Sequence, residues 1–75
     1  MNASEIKQMI EAALPGSIAE VEDYTGTGDH FQATVTASQF EGLGLVQQHQ
    51  LVYAPLRDHM ASQAIHALAL HTRTP

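Results

Sequence analysis

The segment that most constrains the fold is the connection between two strand-like stretches. Phe31-Gln32-Ala33-Thr34-Val35-Thr36-Ala37 alternates apolar and polar, with Phe31, Ala33, Val35 and Ala37 on one side. This is the pattern of a half-buried strand. A second strand is expected over Ile65–Thr72, apolar on both faces through Leu70 and so partly covered on each side. Roughly two dozen residues lie between them and carry a helical pattern, too long for a hairpin and suited to a right-handed parallel crossover. In that pattern Leu45, His49, Val52, Leu56 and Met60 share one side, with Val46 and Tyr53 beside them. The helix is expected from Leu45 to about Ala61, kinked by Pro55. Ser38–Gly42 reads as one helical turn, capped by Ser38 and ended by Gly42.

Upstream, Ile6, Met9, Ile10, Ala13 and Leu14 recur at helical spacing. They define a helix over Ser4–Leu14, capped by Ser4 and stopped by Pro15-Gly16. Residues 18–24 read as a strand, and the cluster Thr25-Gly26-Thr27-Gly28-Asp29 turns it into the next in an antiparallel hairpin. The order is α-β-β-α-α-β. The expected architecture is a single α+β domain over residues 1–75, a three-stranded mixed sheet with helices packed on one face. With 75 residues there is room for one core and no deep catalytic cavity. No apolar run of membrane-spanning length and no leader pattern is present, so the expected location is cytoplasmic.

The chemistry available is narrow. There is no cysteine, hence no thiol nucleophile and no thiolate ligand. The serines have neither an elbow motif nor a base, and the glycine pairs do not form a dinucleotide fingerprint, so no enzyme is expected. Glu20 and Glu22 share a strand face and read as solvated. Three bases against eight acids leave few contacts for phosphates. What remains is histidine, of which there are five. A parallel crossover brings His30 and His66, each near the start of a strand, to one edge of the sheet, within about 10 Å if the loop moves. Neutral imidazoles suit Zn, Cu or Fe, but two of them do not complete a site. The ordinary alternative is that His30 is a loop residue and His66 bonds a backbone carbonyl. His49 reads as a packed, hydrogen-bonded histidine, and His59 and His71 as surface residues.

The runs Asp29-His30-Phe31, Phe40-Glu41-Gly42, Leu51-Val52-Tyr53-Ala54-Pro55-Leu56 and Ile65-His66-Ala67-Leu68-Ala69-Leu70-His71-Thr72-Arg73-Thr74-Pro75 resemble the BolA family in order and spacing, the last most strongly. The short Gly-rich loop and the V-Y-x-P-L helix look most like the IbaG-type branch. The resemblance implies a fold similar to a class II KH domain. It implies a non-enzymatic partner of monothiol, C-G-F-S-type glutaredoxins, sharing a bridged [2Fe–2S] cluster in iron–sulfur trafficking or iron regulation. The glutaredoxin and its glutathione supply thiolates. By the same resemblance this chain is expected to supply His66 and a loop ligand, best matched by His30; in cysteine-type members the thiol falls where Thr27 stands. Alone, the protein is expected to be a monomer or weak homodimer. The competing implication is a KH-like nucleic-acid-binding transcriptional regulator. One branch of the family has Arg-His-Arg in the long helix, whereas here Gln48 and Gln50 flank His49. Many relatives also continue past the Thr-x-Thr-Pro end. Both departures weigh against the regulator.

Overall fold

A computed structural model describes the whole chain, Met1 to Pro75. The first helix, α1, spans Ala3–Ala13. Ile6 and Ile10 are fully buried and Leu14 nearly so, while Ala13 stays exposed. The helix starts earlier than expected because Asn2, not Ser4, caps it. The Asn2 side-chain oxygen accepts the Glu5 N–H at 2.8 Å, and the Glu5 carboxylate accepts the Asn2 N–H at 3.0 Å. This reciprocal pair satisfies two otherwise free donors, which a lone Ser4 cap does not. Gly16, at φ +83°, reverses the chain after Pro15 in a backbone region that glycine enters without strain.

Strand β1 covers Ile18–Glu22 and pairs antiparallel with β2, His30–Thr36, from Ile18–Thr36 to Glu22–Gln32. β1 stops two residues short of the expected end. The Asp23 carboxylate takes the N–H groups of Gly26 and Gly28 at 2.9 and 3.0 Å, so a local turn outcompetes the ladder. A 3₁₀ turn over Ser38–Phe40 follows β2, without the expected Ser38 cap, and drives Phe40 into the core.

The long helix is two helices. Helix α2 covers Leu45–Tyr53 and α3 covers Arg57–Ala61, with a 3₁₀ turn at Ala54–Leu56 between them. Pro55 lacks the N–H that α-helical bonding needs, and the tighter turn absorbs the break. Val52 and Leu56 are fully buried, but Leu45 and Val46 are 64% and 70% exposed, against the expected inner stripe. The segment meets the core chiefly through Val52 and Leu56, which leaves the apolar side chains of its first turn in solvent.

Strand β3, Ala67–Arg73, runs parallel to β2 from His30–Ala67 to Thr36–Arg73, so the sheet order is β1-β2-β3 with β2 central. The parallel crossover is present. Expected cover on both faces of β3 is not. Leu68 and Leu70 pack on the core, while Ala69 faces outward exposed. All helices lie on the other side of the sheet, and a small alanine is left in water at little cost. The core joins Ile6, Ile10 and Leu14 to Ala19, Phe31, Ala33 and Val35, with Phe40, Val52, Leu56 and Ile65 closing it. The uncovered face carries cross-strand rows such as Glu20–Thr34–His71 and Glu22–Gln32–Ala69. No helix is long and apolar enough to cross a membrane.

Candidate metal centre at the start of two parallel strands

Parallel pairing puts the first residues of β2 and β3 side by side, His30 opposite Ala67. His66 immediately precedes β3. Its N–H donates to the Asp29 carbonyl at 2.7 Å, and the Ala67 N–H donates to the same oxygen at 3.1 Å. These bonds bring the two imidazoles together, with ring centroids 4.9 Å apart and planes inclined by 45°. The expected shared edge is therefore realised without any loop movement. His66 is exposed and the His30 side chain is 34% exposed.

His30 is not a free loop residue. Its Nδ1 lies 2.7 Å from an Asp29 carboxylate oxygen. An ionised carboxylate only accepts, so the proton sits on Nδ1 and the lone pair of the neutral ring on Nε2. The Thr27 hydroxyl donates to the same oxygen. That hydroxyl first, and the His30 ring second, hold the Asp29 carboxyl below the usual carboxylate range. The His66 ring makes no hydrogen bond within the chain. The carbonyl bond considered for it from sequence is made by its backbone N–H instead.

Chemically, the pair offers two nitrogen donors and no anionic ligand. No group of three or more His, Cys, Asp or Glu side chains is gathered to hold an ion. If a second molecule supplied the remaining ligands of a bridged iron–sulfur cluster, His30 and His66 are the residues that would hold one of its irons. Imidazole ligation there would supply a raised reduction potential relative to an all-thiolate cluster.

The remaining histidines stand apart. His49 packs edge-on against Tyr53, with centroids 6.2 Å apart, but its buried Nε2 has no hydrogen-bond partner, contrary to expectation. His71 lies on the open sheet face, exposed; His59 is half-buried on α3. Glu20 and Glu22 are exposed. Gln48 points into the structure. Its amide NH₂ donates to Leu43 O at 3.0 Å and Phe40 O at 3.4 Å, and its carbonyl accepts the Thr72 hydroxyl at 2.6 Å.

Two contributors went unrecognised in the sequence. Asp29 read as a turn residue, although an acid directly before a histidine at a strand start is a signal for an oriented imidazole. Gln48 read only as a missing charge.

These features define a class: an α+β domain with a mixed three-stranded sheet that exposes a histidine pair at the start of its parallel strands. The chain belongs to the BolA family, whose model, described as BolA-like protein, matches residues 10–75. It is 36% identical to the acid stress protein IbaG of Escherichia coli, over the whole chain and 86% of that protein. It is also 36% identical to BolA-like protein 1 of Bos taurus over 93% of this chain, spanning only 56% of that longer relative. Among solved structures, a bolA protein homologue from Coxiella burnetii superposes with a TM-score of 0.82 at 43% identity, covering the whole chain and 92% of that one.

Proposed function

We propose that this protein is a non-enzymatic, cytoplasmic partner of a monothiol, C-G-F-S-type glutaredoxin, with which it co-ligates a bridged [2Fe–2S] cluster through His30 and His66. The role is iron–sulfur trafficking or iron regulation. The observation that carries the reading is the 4.9 Å imidazole pair at an accessible strand edge of a chain without cysteine. The glutaredoxin and the glutathione bound to it bring the thiolates. This chain brings neutral nitrogen donors and, before meeting its partner, is a monomer or weak homodimer. His66 is the more accessible of the two and is free of side-chain hydrogen bonds, so nothing on this chain competes with a metal for it.

The test mixes the protein with the glutaredoxin, glutathione, iron and sulfide and follows visible circular dichroism. The expected result is a spectrum distinct from that of the glutaredoxin homodimer. His66→Ala should lose it while the far-UV spectrum stays native. His30→Ala should weaken it in the same direction, and His49→Ala should leave it unchanged. If His66→Ala assembles the wild-type spectrum, or His49→Ala alone abolishes it without unfolding, the ligands are elsewhere.

A further inference from the structure

We propose that Asp29 is the positioning residue of the histidine pair, its backbone carbonyl setting the place of His66 and its carboxylate setting the tautomer of His30. The inference rests on the reading of His30 and His66 as ligands given above and adds how this chain prepares them.

The two halves of Asp29 act on different rings. Its carbonyl accepts two N–H groups, from His66 at 2.7 Å and Ala67 at 3.1 Å, using both lone pairs of one oxygen. The backbone of His66 is thereby tied to the residue next to His30, so the Cα positions from which the two imidazoles extend cannot separate without breaking the first bonds that join β3 to the start of β2. The carboxylate faces the other way. One of its oxygens accepts from His30 Nδ1 at 2.7 Å and from the Thr27 hydroxyl, while Thr25 and Thr27 hydroxyls lie 2.6 Å apart behind it. A neutral histidine in water favours the proton on Nε2, which would leave the wrong nitrogen for an outside ligand. Bonding to Asp29 reverses that preference and makes Nε2 the donor atom. Asp29 itself touches no metal in this arrangement.

The first readout needs no metal. In the uniformly ¹⁵N-labelled, metal-free protein at mildly alkaline pH, long-range proton–nitrogen spectra should show the His30 proton mainly on Nδ1. Asp29→Ala should move it mainly to Nε2. Asp29→Asn keeps an acceptor oxygen and should retain much of the wild-type tautomer. Both variants keep the backbone carbonyl, so the His66 amide should remain protected from exchange.

The second readout is assembly of the mixed cluster with glutaredoxin, which Asp29→Ala should weaken roughly 10–100-fold, the range for losing a carboxylate behind a ligating histidine. Asp29→Asn should lie between Asp29→Ala and wild type. A wild-type His30 carrying its proton on Nε2 overturns the proposal without any variant. So does an Asp29→Ala protein that assembles the cluster as wild type does, with the ligand reading left standing. A wild-type protein with the Nδ1 tautomer that forms no mixed cluster overturns the ligand reading, and the positioning role with it.

Discussion

Gln48 shows how one side chain decides between two surfaces. A charged residue at this position of α2 would extend into solvent, where it could meet phosphate. Gln48 instead links α2 to the Phe40–Leu43 loop and, through the Thr72 hydroxyl, to β3. The role requires an acceptor and a donor on one group, which a guanidinium cannot provide because it only donates. Gln48→Arg should therefore remove the acceptor to which the Thr72 hydroxyl donates and cost about 1 kcal/mol, the typical worth of one such bond. Thr72→Val should cost a similar amount, and the double variant less than the sum, because both break the same bond. Urea midpoints measure this directly; a Gln48→Arg protein as stable as wild type would show the bond to be incidental.

At the scale of elements, α1 is fastened to β1 by a small charged network as well as by its apolar stripe. The Glu11 carboxylate accepts the Ala19 N–H at 3.0 Å and the Lys7 ammonium at 2.7 Å, and that ammonium donates to Ala19 O at 2.8 Å. The Ala19 backbone bond first, then Lys7, hold the Glu11 carboxyl below the ordinary glutamate value of 4.5. A carboxyl whose pKa is lower folded than unfolded stabilises the fold fully above the unfolded value. That contribution is lost as pH falls through the folded one. Between about pH 6 and about pH 3, the denaturation midpoint of Glu11→Gln should therefore fall less than that of wild type, because the variant has no such proton to take up. Equal falls would mean that the network contributes nothing to acid stability. The apolar half of the same junction should dominate at neutral pH. Ile10→Ala, emptying a fully buried site, should cost about 2–5 kcal/mol by the same measurement.

The whole molecule has one helical side, one bare sheet face and few cations. Of its three bases, Lys7 is held by Glu11, and Arg73 bonds the Thr36 hydroxyl at 2.9 Å and lies 3.9 Å from Glu20. Arg57, at the start of α3, pairs with no acid. No contiguous basic stripe results, and acids outnumber bases eight to three over the chain. Binding to duplex DNA at physiological salt should be no tighter than the non-specific range of roughly 10⁻⁴–10⁻⁶ M, with a shallow dependence on salt. Fluorescence anisotropy across a salt series tests this; nanomolar, sequence-dependent binding would contradict it.

Much of this was readable in the residues because the relevant signals are local. The 3.6-residue stripe of Ile6, Ile10 and Leu14, the alternation of Phe31, Ala33 and Val35, and the length of the stretch before Ile65 determined the element order and the parallel crossover. The crossover in turn dictated that His30 and His66 share an edge, and without cysteine the chain has no thiolate to offer a metal, which leaves imidazole as its best ligand. The tertiary structure decided what depends on distant partners. Leu45 and Val46 fit the stripe of a buried helix yet are exposed, because burial is set by what packs opposite and not by periodicity. Asn2 displaced Ser4 as a cap because Glu5 could answer it. Asp29 became more than a turn residue only once β3 returned to lie beside it, since one carbonyl between two strands accepts from residues more than thirty positions away only after the sheet has closed. A side chain's type limits which bonds it can make; its neighbours in space determine which of them it makes.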